Sequence, residues 1–207
     1  MTTSFCDDRA EHGFSWIVDE PMTRTSHALA ADGPVWLVDP VRFPPAIERA
    51  RSLGEPTAVI QLLDRHNRDC ASLAAELAVP HLVVPATLPD TPFDVVSVRD
   101  SKRWREVALW WPSEQTLVVA EALGTNRFFA GGRDAAGVHL LMRLSPPREA
   151  LGRFEPEHIL FGHGTGLHGS AATEGLRIAL ARARTGLPGL LLRAPAFAVD
   201  AVRRRRR

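Results

Sequence analysis

The stretch Ala58-Val-Ile-Gln-Leu-Leu-Asp-Arg-His-Asn-Arg-Asp-Cys-Ala-Ser-Leu-Ala-Ala-Glu-Leu-Ala-Val79 changes character twice. Ala58 to Leu63 is a short apolar run of the kind that makes a buried strand. Asp64 to Asp69 is a dense polar cluster. From Cys70 the chain is rich in Ala and Leu, and Leu73, Ala74 and Leu77 fall on one helical face. Strand, polar turn and helix in succession is where α/β folds carry chemistry, because loops at strand ends hold side chains over a rigid sheet. Asp69 stands where the helix starts, a position that favours a carboxylate as a cap and as a partner of the helix dipole.

Working outward, Phe14 to Val18 and Ser26 to Ala31 read as strands. Asp32-Gly33 is a hairpin turn signal, and Val35 to Val38 returns as the partner strand before Asp39-Pro40. Pro44-Pro45 opens a helix through Ser52, with proline in its tolerated first turn. Beyond the central stretch, His81 to Val84 and Phe93 to Val98 read as strands. Val107 to Trp111 and Thr116 to Ala120 form a hairpin around Pro112-Ser113-Glu114-Gln115. His158 to Phe161 is a strand, Gly162 to Gly169 a glycine loop, and Ser170 caps a helix to Arg184. The pattern alone predicts a mixed α/β domain.

The polar cluster resembles a known signature. Strand, His-x-His-x-Asp-His and helix mark the metallo-β-lactamase fold superfamily, and residues 65 to 70 read Arg65, His66, Asn67, Arg68, Asp69, Cys70 in that place. A one-residue shift would put His66 on the second histidine, but Arg68 on the aspartate. The first register is preferred because it leaves Asp69 at the acidic position and at the helix start. The resemblance extends to the hairpin of residues 107 to 123, where Glu121 matches a bridging aspartate. It extends also to His158-Ile-Leu-Phe-Gly-His-Gly164, where His163 matches a last ligand. Lys102, in Asp100 to Glu106, is the nearest counterpart of a further histidine. The resemblance implies a four-layer αββα sandwich over most of the chain.

It also implies a metal-dependent hydrolase, since one or two ions in that fold activate water and polarise the scissile bond. Here the ligand types are depleted. Arg65 and Lys102 carry positive charge where ligands belong, and arginine neither deprotonates nor ligates. The expectation is therefore a degenerate site that is non-catalytic or repurposed to bind an anionic small molecule. Its cavity would be formed by Arg65, His66, Asn67, Asp69, Cys70, Lys102, Glu121 and His163. Arg65 or Lys102 would take the place of the missing cation beside Asp69 and Glu121. No cofactor is expected. A metal retained nonetheless would be zinc or iron on Asp69, Cys70, Glu121 and His163. That is the alternative reading, a hydrolase of an ester, amide or phosphoester bond working with one altered metal site.

Composition closes off other classes. Within 207 residues there is room for one substantial core, and 45% hydrophobic with 24% charged residues is ordinary for a globular protein. A net charge of +1 supplies no global field toward nucleic acid or membrane. Two cysteines are too few for a disulfide framework, and no run approaches a membrane span. The expected organisation is a flexible leader over 1–13, one domain over 14–202 and a basic tail over 203–207, in the cytoplasm. Gly164-Thr-Gly-Leu-His-Gly169 satisfies G-x-G-x-x-G, yet only 38 residues follow it, so it reads as a tight strand-to-helix turn. Cys70 reads as a small buried apolar residue, and Trp110-Trp111 as hairpin packing.

Overall fold

The computed structural model describes residues 2–132, 134–192 and 195. The basic tail over 203–207 lies outside them.

The N-terminal half builds one sheet. Its strands are β1 (Thr3–Cys6), β2 (Gly13–Val18), β3 (Thr25–Ala30) and β4 (Pro34–Val38), then β5 (Glu55–Gln61) and β6 (His81–Val83). They lie in the order β1-β2-β3-β4-β5-β6. The first four run antiparallel, and β5 and β6 join in parallel through helices α1 (Pro44–Leu53) and α2 (Cys70–Leu77). The β3–β4 turn is the Asp32-Gly33 pair, with φ of 52° and 108°. That double left-handed turn is why an Asp-Gly step sits there.

A second sheet takes β7 (Asp94–Ser101), β8 (Trp104–Trp111), β9 (Thr116–Val119), β12 (His158–Phe161) and β13 (Leu167–His168). Their order is β13-β12-β9-β8-β7. Between β9 and β12 the chain forms a short pair, β10 (Leu123–Gly124) with β11 (Gly137–Val138), and helices α3 (Arg127–Ala130) and α4 (Arg148–Leu151). Helix α5 (Ser170–Arg182) follows β13.

Two cores define four layers. Leu29, Trp36, Ile60, Leu109, Leu117 and Ile159 belong to a core shared by both sheets and by Leu176 and Leu180 of α5. Phe14, Trp16, Leu37 and Val59 pack against Ile47 of α1 and Leu73 of α2. Alternation along β4 and β5 sends neighbours to opposite cores, as period-two side chains must. The αββα sandwich is therefore present.

Three expectations change. The segment expected as a flexible leader contains β1, paired with β2 from Thr3↔Val18 to Cys6↔Ser15. Phe5 and Phe14 meet edge to face at 5.4 Å, so the N-terminal residues have a sheet edge and an aromatic contact to order them. Ser170 is the first residue of α5 and Gly169 its cap, with φ of 60°. The piece from Asp100 to Glu106 is the turn of the β7–β8 hairpin rather than a ligand loop.

Candidate metal centre

Strand ends from both sheets meet at one edge and enclose a cavity of about 440 Å³. The polar turn after β5 supplies Arg65, His66, Asn67 and Arg68. The β2–β3 loop supplies Glu20, Met22 and Arg24, while Glu121 and His163 enter after β9 and β12. The two sheets are stitched beside it by Thr25 N–H donating to Gly162 O at 2.9 Å.

Two histidines are oriented by their outer nitrogens. His66 Nδ1 lies 3.0 Å from a carboxylate oxygen of Asp39, whose other oxygen accepts from Leu62 N–H at 3.1 Å. His163 Nδ1 lies 2.8 Å from Met22 O. A carbonyl or carboxylate can only accept, so each Nδ1 carries a proton, and in the neutral ring Nε2 keeps its lone pair. His163 Nε2 is buried and has no hydrogen-bond partner. Burial, then Arg68 and His66, push the His163 pKa down to about 3, which keeps the ring neutral. Burial alone would raise the Asp39 carboxyl. The charge and hydrogen bond of His66, with Arg68 and Leu62 N–H, outweigh it and hold Asp39 below the usual carboxylate range.

Glu121 completes a triad. One ligand atom each from His66, Glu121 and His163 lies within 4.8 Å of the others. The two rings are 8% and 5% exposed, so the pair is largely shielded from bulk water. Phe129 stacks on His163 at 5.4 Å. The Glu121 carboxylate stands between Arg65 Nε at 3.5 Å and His139 Nε2 at 3.6 Å.

Beneath Glu121 sits Glu106, fully buried. It accepts from the N–H groups of Glu121 and Ala122 and from Trp104 Nε1, each at 2.8 Å. Burial raises its pKa to about 7 against the opposing pull of those donors. The Trp104 ring lies under the Arg65 guanidinium at 3.7 Å, so one carboxylate orders both a triad member and the arginine beside it.

Arg68 is the most enclosed of the cavity's arginines. Its φ of 29° turns the side chain inward. It donates to Thr25 O at 2.5 Å, Asp39 O at 2.8 Å and Gly162 O at 2.9 Å. Among the described residues it has no carboxylate within ion-pair distance. Arg24 is held by Glu20 at 2.5 Å, and that hydrogen bond raises its pKa.

The site residues expected from sequence divide. Arg65, His66, Asn67, Glu121 and His163 line the cavity. Asp69, Cys70 and Lys102 do not. Asp69 points away and accepts from Arg42 N–H at 2.7 Å. Cys70 is buried in the helix-facing core, away from the cavity, and burial pushes its thiol up to about 12. Lys102 is exposed on the β7–β8 turn. The set given for a metal retained nonetheless, Asp69, Cys70, Glu121 and His163, is not brought together; the ligand atoms that converge are those of His66, Glu121 and His163. Four consecutive residues of the turn, Arg65 to Arg68, line the cavity, and Asp69 does not. Arg65 reaches Glu121 but not Asp69. Sequence reasoning assigned no role to Arg68, Glu106, Met22 or Asp39. Only Asp39 carried a signal, an aspartate closing a strand before proline.

No family model and no curated protein matches this chain. Solved structures do. The DIM-1 metallo-β-lactamase exposed to ceftazidime superimposes with a TM-score of 0.58 at 14% identity, over 88% of this chain and 98% of that one. VMB-1 at pH 5.5 gives 0.58 at 10% identity, over 87% and 98%. TMB-1 gives 0.54 at 10% identity, over 88% and 99%. The chain has the metallo-β-lactamase fold.

Proposed function

We propose that the chain holds one divalent cation on His66, Glu121 and His163 and acts on the ester, amide or phosphoester bond of an anionic substrate. The observation that carries this reading is the buried, unpartnered Nε2 of His163. It faces the same point as His66 and Glu121, and all three groups are acceptors. An anion placed there would meet two lone pairs and a carboxylate, whereas a cation satisfies all three. Imidazole and carboxylate together suit zinc or iron. Asp69 and Cys70 are turned away, so the set serves one ion and not two. When bound, such an ion supplies Lewis acidity and a water of lowered pKa.

The chain's own residues do the rest. Asp39 and Met22 O fix the tautomer and orientation of the two imidazoles. Glu106 fixes the backbone at Glu121. Arg65 and Arg24, at the rim, attract an anionic group of the substrate, and Asn67 offers it a neutral amide. The fixed charge of Arg68 adds to that attraction from below. It also opposes the metal, and this favours a second reading, an anion-binding protein without catalysis.

Elemental analysis of tag-free protein purified without chelator separates the two. About one zinc or iron per chain, lost in His163→Ala, is expected. No metal as purified and no uptake on titration, with inorganic phosphate binding retained, would establish the second reading instead.

A further inference from the structure

On the opposite strand end of the second sheet, His158 of β12 and His168 of β13 are directly opposed in the antiparallel register. Their Nδ1 atoms are 2.9 Å apart, with ring centroids at 5.1 Å. The other nitrogen of His168, Nε2, lies 3.3 Å from Asp7. Asp7 is anchored in turn by Gly166 N–H at 2.9 Å, and the two bonds, with nearby His27, hold its carboxyl below the usual range although burial pushes the other way. Asp7 accepts only, so the His168 proton sits on Nε2 and its Nδ1 presents a lone pair to His158. Two imidazole nitrogens can meet at this distance only with a proton or a cation between their lone pairs.

We infer that His158 and His168 form a second cation site, for a divalent transition ion of the copper or nickel type bound through the two Nδ1 atoms. Bonds of about 2.0 Å with cis ligands at a right angle ask for nitrogens about 2.8–2.9 Å apart, which is the spacing of a tetragonal site. Asp7 braces His168 from behind, as carboxylates do for ligating histidines. Solvent has access, since His168 is exposed and His158 half-buried, so water can fill the remaining positions. The nearest cation, Arg9, is stacked on Trp111 and paired with Glu114 at 3.6 Å. Binding replaces the shared proton, so it releases a proton. Because Asp7 closes β1, an ion here would tie the N-terminal edge of the first sheet to the second.

The test is calorimetric titration of tag-free, chelator-treated protein with Ni²⁺ and with Cu²⁺, at neutral and mildly acidic pH. The wild type should take up one more ion per chain than the His158→Ala/His168→Ala double variant, and that extra binding should vanish on acidification. Asp7→Asn should keep the extra ion with roughly tenfold weaker affinity or less. His163→Ala should remove only the triad's ion, which keeps this site's outcome separate from that one. Equal stoichiometry in wild type and double variant, with both folded by circular dichroism, would overturn the inference.

Discussion

Glu106→Gln changes one oxygen to an amide and removes a fully buried charge from under the triad. Burial raises the Glu106 pKa from 4.5 to about 7. A carboxyl whose folded pKa lies above its unfolded one contributes stability that is fully present below the unfolded value and is lost as pH rises through the folded one. Each pH unit in that window is worth about 1.4 kcal/mol. Between about pH 5.5 and about pH 8, only the portion below pH 7 counts, so the wild type should lose roughly 2 kcal/mol relative to the glutamine variant. Near pH 5.5 the two should differ by under about 1.5 kcal/mol, because a neutral carboxyl and an amide keep the same two backbone donors. The assay is urea unfolding of both proteins at both pH values, followed by tryptophan fluorescence and run in chelator so that bound metal does not contribute. Taking the difference between proteins cancels the other titrating groups. A difference that does not change with pH would refute the reasoning. It would mean that three donors at 2.8 Å outweigh burial and keep Glu106 ionised throughout.

Arg65→Ala should cost under about 1 kcal/mol by the same unfolding assay. A loss of about 3 kcal/mol or more, the cost of breaking a buried ion pair, would show that its pair with Glu121 is not solvent-screened as its 41% exposed side chain implies. His27 and His163 are buried neutral, with pKa values lowered to about 4 and about 3, chiefly by burial. Stability from both is therefore complete above the unfolded value of about 6.5 and falls as pH drops toward those folded values. NMR titration of the His27 ring should show no protonation at about pH 6, and a midpoint near the ordinary histidine value would contradict its burial.

The fold was legible because its signals are local and repeated. An Asp-Gly turn, proline-led α1 and the Ala58–Leu63 run each imply one element, and the glycine-histidine loop after β12 aligned with a known pattern. The site was legible less evenly. His163 and Glu121 were found because each ends a strand, where side-chain direction is constrained. Asp69 was misjudged because a helix start satisfies a carboxylate in two ways, and here a distant backbone amide at Arg42 claims it. Lys102 was misjudged because a two-residue hairpin turn looks like a loop when its flanking strand, β7, reads shorter than it is. The inward turn of Arg68 depends on a left-handed backbone at a residue type that rarely adopts one, and nothing in the local sequence announces that.

The three carbonyls held by Arg68 belong to residues at the ends of β3 and β4, in the first sheet, and of β12, in the second. A pocket residue is thus also a rivet of the scaffold. Redesign of the cavity's charge has its freedom at the rim, where Arg24 and Arg65 can be exchanged with little disturbance. Position 68 offers none of that freedom, because neutralising it would strand three inward-facing carbonyls and loosen the seam that brings His163 to His66.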